Sequence, residues 1–177
     1  GRTHLRDAVP TTLGLEFEAY AELIKRDYNN IVRAIEILKE IHIGGTAIGS
    51  GINTHTMFRS LVIEELNKTT HLDLRATKNF FELTFNMESF VHYSNALRVL
   101  ALNLIKICGD LKFMSSGPRA GINEITLPEV EPGSSIMPGK VNPSIIEALE
   151  MVCYDIIGND QTVIMCAKSG NMELNIF

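Results

Sequence analysis

Residue types able to do chemistry crowd into one run: Gly133-Ser134-Ser135-Ile136-Met137-Pro138-Gly139-Lys140-Val141-Asn142-Pro143. Glycine admits backbone turns that other residues avoid, and proline fixes the chain in them. Main-chain N–H groups exposed in such a turn can hold an anion, and Lys140 adds positive charge beside them. A hydroxyl next to that anion is a candidate nucleophile or base, and the adjacent serines supply one. A plain surface loop has a similar composition, so residue types alone leave both readings open. A phosphate-binding P-loop is excluded by counting. It needs four residues between its glycines and a Ser or Thr after the lysine, whereas five residues separate Gly133 from Gly139 and Val141 follows Lys140.

Two further segments belong with this run. The chain opens Gly1-Arg2-Thr3-His4-Leu5 and continues Asp7-Ala8-Val9-Pro10; later comes Gly44-Gly45-Thr46-Ala47-Ile48-Gly49, leading to Asn53. The first run matches every fixed position of G-S-S-x-M-P-x-K-x-N, and it resembles the signature of the aspartase/fumarase superfamily. The opening resembles that family's Thr-His segment, and the glycine-rich stretch resembles its helix connection. The three occur in the family's order, and the resemblance extends through all 177 residues.

The resemblance implies elimination from a C4 dicarboxylate to give fumarate. The hard step removes a proton from carbon beside a carboxylate, so the intermediate's charge must be stabilised by a site that also carries a base usable at neutral pH. By resemblance Ser134 is that base. The N–H groups near Ile136 and Met137, with Lys140 and Asn142, hold the carboxylate. Thr3 contacts substrate, and His4 lies near it as an acid or a binding group. Glu147 orients His4, as a carboxylate orients a histidine elsewhere; the bland alternative is an acidic residue favoured by a helix N-terminus. Asn53 and Arg119 are further substrate-binding candidates, although Arg119 lies in a Gly-Pro-Arg-Ala-Gly turn that could be purely structural. Ser134 too could simply satisfy local backbone. Neither a metal nor an organic cofactor is expected.

The elements that position these groups read as helices. A pattern over about 13 to 42 repeats Phe17, Ile24, Ile31 and Leu38 every seven residues, as a long bundle helix does, with Gly44 and Gly45 as its stop. Thr11 and Thr12 suit its cap. A shorter helix is expected over about 57 to 68, then one long element over about 77 to 114. Phe90, Tyr93, Leu97, Leu100, Leu104, Ile107 and Leu111 mark one face of it, and Val99, Leu102 and Ile105 make the others apolar. A helix apolar on all sides is buried on all sides, so it should pack against helices of other subunits, or under a hairpin of its own chain. Residues 115 to 143 form a long connection with a strand-like piece at 125 to 127. Asn142 and Pro143 suit a helix start. Helix then covers about 143 to 157, is interrupted by Gly158-Asn159-Asp160, and resumes over 161 to 168.

The fold class is therefore all-α, a long-helix bundle. It corresponds to one central domain, residues 1 to 177, of a family whose chains continue on both sides. By resemblance it assembles as a homotetramer whose active sites combine segments of three subunits, and one of those segments is not in this chain. Apolar residues at 45% and charged residues at 21% suit a globular core, and a net charge of −5 offers no basic face for nucleic acid. No apolar run is long enough to span a membrane. Cys108, Cys153 and Cys166 lack metal-ligand spacing and read as reduced core residues of a cytoplasmic protein.

Stretches of the chain resemble two branches of the superfamily. Ser115 to Gly121, Asn123-Glu124-Ile125, Lys106-Ile107-Cys108 and Gly158-Asn159-Asp160 are similar to the aspartase branch. Gly44-Gly45-Thr46, Asn53-Thr54-His55, Glu147-Ala148-Leu149 and Ser169-Gly170-Asn171 are similar to class II fumarases. The balance favours an aspartate ammonia-lyase reaction, with malate/fumarate hydration as the alternative. A non-catalytic structural member of the superfamily is a third reading.

Overall fold

The structure is a computed structural model that describes residues 1–177. Five helices hold over half of the residues: α1 (Leu13–Leu38), α2 (Phe58–Thr70), α3 (Phe80–Phe85), α4 (Glu88–Met114) and α5 (Ser144–Ala167). Four two-residue strands accompany them: β1 (Arg2–Thr3), β2 (Arg6–Asp7), β3 (Glu40–Ile41) and β4 (Arg75–Ala76). The all-α class holds. No helix is long and apolar enough to cross a membrane.

The chain divides into two compact units: Gly1–Asn29 with Val99–Asp155, and Asn30–Arg98 with Ile156–Phe177. In the first unit, Ala101, Cys108, Met114, Ile146 and Cys153 are buried. Polar bonds between helices set the packing there. Asn103 Nδ2 donates to the buried Asp27 carboxylate at 2.8 Å, joining α4 to α1. Lys112 Nζ reaches Glu150 Oε2 at 2.5 Å, joining α4 to α5. Cys108 and Cys153 are unpaired thiols, and burial pushes both up from the ordinary thiol value.

In the second unit, β3 pairs with β4 in parallel, Glu40 opposite Arg75 and Ile41 opposite Ala76. This pairing corrects the expected end of the first helix. The chain leaves helix at Leu38, and Lys39 O accepts from Arg75 N at 2.8 Å. The helix therefore stops before Gly44 and Gly45, because the sheet takes the backbone bonds. The expected single helix over 77 to 114 is also two. Asn79 caps α3 through Phe81 N and Glu82 N. Asn86 is extended, and its Oδ1 accepts from Glu88 N at 2.8 Å to start α4. Side-chain acceptors of this kind favour a new helix start over continuation.

Two expectations about the last third fail. No strand forms at 125 to 127; Glu124 N and Ile125 N instead donate to Met114 O, folding that segment back onto the end of α4. And α5 runs without a break through Gly158-Asn159-Asp160. Asp160 is buried there, with Oδ1 accepting from Ser94 Oγ at 2.8 Å and Oδ2 lying 3.1 Å from Arg98 Nη1. The polar triplet marks an ionic contact with α4, and one glycine costs a helix only about 1 kcal/mol. Asn175 closes the far end of α5 by donating to Cys166 O and Ala167 O.

Candidate functional site

Thr3 and His4 sit on a hairpin of the first unit. β1 pairs antiparallel with β2, Arg2 opposite Asp7 and Thr3 opposite Arg6, which leaves His4 and Leu5 as the turn. Both have left-handed backbone, φ 54° and 58°. A two-residue hairpin turn of this hand requires positive φ twice, a conformation that usually selects glycine or asparagine. A histidine and a leucine held there are strained, and such outliers cluster at functional positions. The hairpin is moored by Arg2, whose guanidinium makes two bonds to the Glu124 carboxylate, one of 2.9 Å from Nη1 to Oε2. That bond holds the Glu124 carboxyl below its ordinary value.

Beside the hairpin lies a cavity of about 350 Å³, lined by Arg2, His4, Tyr20, Lys106, Asp110 and Phe113 among others. Tyr20 Oη donates to Asp110 Oδ2 at 2.6 Å. Lys106 pairs with the same oxygen, and its ammonium stands 4.8 Å from the Tyr20 ring centroid. Burial, reinforced by the bond to Asp110, pushes the Tyr20 phenol well above its usual value. Helical periodicity alone does not single Tyr20 out. The Lys106 and Asp110 pair, four residues apart on one helix face, was the available clue to this cluster.

The signature run is a loop closed at its neck. Ser134 N donates to Lys140 O at 3.2 Å, and Lys140 N to Met137 O at 3.1 Å. A side chain at Gly133 could not be accommodated: a Cβ there would lie 2.5 Å from Lys140 O. Gly139 turns the chain with φ 79°. Within this closed loop the Ser134 hydroxyl is half-buried and makes no hydrogen bond in the chain. The N–H groups of Ser135, Ile136 and Met137 donate to no protein acceptor. Lys140 is exposed and forms no ion pair, and Asn142 is half-buried. The loop thus offers three N–H donors, an ammonium and a hydroxyl, a set suited to a carboxylate.

Past the loop, α5 begins at Ser144, and its first backbone bond runs from Glu147 N to Pro143 O at 3.0 Å. The expected cap by Asn142 is not made; Ser144 instead bonds to Glu131. Glu147 lies in the first turn, exposed, and its side chain makes no hydrogen bond or ion pair. Arg119 is likewise exposed and unpaired, on a turn that Ser116 closes by accepting from Ile122 N at 3.2 Å. Asn53 belongs to the second unit and has φ 65°.

One chain therefore makes two clusters in its first unit. Thr3 and His4 share the hairpin; Ser134, Ile136, Met137, Lys140, Asn142 and Glu147 share the loop and the helix that follows. No loop residue lines the cavity beside His4, and no bond links His4 with Glu147.

Comparison with known proteins is consistent along the chain. The model of a family described as "Lyase" matches residues 1–158. An aspartate ammonia-lyase of Helicobacter pylori is 48% identical over the whole chain, which spans 38% of that relative's length. A class II fumarate hydratase of the same organism is 44% identical, again over the whole chain and 38% of the relative. Among solved structures, a fumarate lyase:delta crystallin from Brucella melitensis matches all of this chain and 38% of its own, with TM-score 0.95 and 48% identity. A class II fumarase from Schistosoma mansoni matches 99% of this chain and 40% of its own, with TM-score 0.95 and 34% identity.

Proposed function

Because this chain belongs to the lyase family that includes aspartate ammonia-lyases and class II fumarases, we propose that the full-length protein eliminates a group from a C4 dicarboxylate to give fumarate, with L-aspartate as substrate. The observation that carries the reading is the closed loop whose free Ser134 hydroxyl lies among unpaired N–H donors. Ser134, ionised to its alkoxide, is the base: it takes the proton from the carbon beside the carboxylate and becomes the hydroxyl. The electron pair left behind is delocalised into that carboxylate, and the N–H groups of Ile136 and Met137, with Lys140 and Asn142, meet its charge. Collapse of the intermediate forms the double bond and breaks the carbon–nitrogen bond, releasing ammonia.

Thr3 and His4 bind the other end of the substrate, Glu147 orients His4, and Asn53 and Arg119 add contacts. Within one chain His4 and Glu147 are not bonded to each other, and the exposed side chains of Glu147 and Arg119 make no hydrogen bond or ion pair. Those unmade bonds support a site completed by other copies of the chain, in a homotetramer. The free thiols Cys108, Cys153 and Cys166 support a reducing, cytoplasmic setting.

A second reading, malate/fumarate hydration, is favoured by the 44% identity to a class II fumarate hydratase, close to the 48% to the aspartate ammonia-lyase. The test follows fumarate by its ultraviolet absorbance in the full-length protein, with aspartate and separately with malate. A rise with aspartate alone is expected. A rise with malate alone transfers the function to the second reading, and silence with both overturns elimination from either substrate.

A further inference from the structure

Arg59, in the first turn of α2, holds the glycine-rich loop that precedes it. Its Nε donates to Gly44 O at 3.0 Å and its Nη2 to Gly49 O at 3.3 Å. Its guanidinium carbon stands 3.8 Å from the centroid of the Phe80 ring, at the start of α3. The loop backbone is pressed against this one side chain. A Cβ at Gly51 would lie 2.2 Å from Arg59 Nη2, and one at Gly44 would lie 2.8 Å from Arg59 Cγ. Gly44 and Gly51 are also left-handed, φ 81° and 72°. Two carbonyls five residues apart and an aromatic face are served at once by a planar fork of donors, which a lysine cannot reproduce.

What the guanidinium fixes is the turn that carries Asn53. Thr54 closes that turn by donating from N and from Oγ1 to Gly51 O, at 3.2 and 2.6 Å. Asn53 lies inside it at φ 65°, exposed, with a side-chain amide that makes no hydrogen bond in the chain. We propose that Arg59 is a positioning residue for substrate binding: by bonding the carbonyls of Gly44 and Gly49 and packing against Gly51 it sets the turn that presents the Asn53 amide to a substrate carboxylate. This rests on the assignment of Asn53 to the substrate site above.

The experiment is a double-mutant cycle in the full-length assembled protein, reading kcat and KM separately with the substrate that gives fumarate. Arg59→Lys and Asn53→Ala should each raise KM about tenfold and change kcat less than about threefold, the pattern of lost ground-state binding. The double variant should be no worse than Asn53→Ala alone, because one residue acts through the other. Effects that multiply overturn the inference and leave the function standing. So does an Asn53→Ala enzyme of unchanged KM. A wild-type protein that forms no fumarate overturns the function, and the inference with it. If Arg59→Lys fails to assemble, Gly51→Ala replaces it, since its Cβ pushes the same turn off the guanidinium. An unchanged KM in that variant overturns the inference too.

Discussion

Asp160 Oδ2 lies 3.1 Å from Arg98 Nη1, with the Asp160 side chain 1% exposed and that of Arg98 31% exposed. The approach is not aligned as a hydrogen bond, so Coulomb attraction holds the pair, while Ser94 satisfies the other oxygen. The two members are unequal because only the carboxylate is cut off from water. Arg98→Met strands a buried charge and should cost about 3–5 kcal/mol of unfolding free energy. Asp160→Asn keeps an acceptor for Ser94 and leaves an arginine that can reach solvent, and should cost about 1–2 kcal/mol. Denaturant midpoints of the two variants check the order. Equal losses would mean that burial of the carboxylate is not what the pair compensates.

Ser134 and Ser135 are neighbours with different expected roles. Ser134→Ala should lower kcat by at least about a thousandfold, as loss of a reacting base does, while sedimentation of the assembled protein stays that of the wild type. Ser135→Ala should keep most of its turnover. Near-full activity in the Ser134→Ala enzyme would remove the base from this loop, and an unaffected biological role in it would favour a structural member of the family.

The loop proposed to carry chemistry stood out in the sequence because its residue types are rare together at that spacing: Ser134, Lys140 and Asn142 stand in one short run. Helices were legible through periodicity, but their ends were not. Leu38 ends α1 because β4, more than thirty residues later, takes Lys39 O, and no local pattern announces a distant partner. Gly158-Asn159-Asp160 looked like a break because a buried carboxylate and a loop carboxylate are the same letter; only Arg98 and Ser94 on the neighbouring helix distinguish them. The Tyr20, Lys106 and Asp110 cluster was hidden for the same reason, since it forms across two helices 90 residues apart in the case of Tyr20 and Asp110.

Ile145, Leu149 and Val152 follow one another on α5 at steps of four and three residues, and all are exposed. Such a spacing makes one continuous helix stripe, and burying an aliphatic side chain is worth about 1.5–3 kcal/mol. The stripe is the face expected to meet another copy. Leu149→Glu with Val152→Glu should shift the full-length protein to smaller species in sedimentation velocity, with far-ultraviolet circular dichroism retained. An unchanged mass would show that the stripe is covered by the protein's own chain.

Tyr20 gives a pH dependence with a definite sign. Its phenol is pushed up by burial and by the bond to Asp110, so the folded state keeps the proton after the unfolded chain has lost it. Its contribution is complete below the ordinary tyrosine value of about 10 and declines as pH rises beyond that. Tyr20→Phe removes the Asp110 bond and should be less stable than wild type at about pH 8, where both states of the wild type are protonated. At about pH 11 the wild type has lost part of that advantage, and the gap between the two proteins should narrow. Other tyrosines and lysines titrate in both proteins and cancel in the difference. Urea midpoints of the pair at the two pH values make the measurement; a gap that stays constant would mean that Tyr20 titrates alike in the folded and unfolded chains.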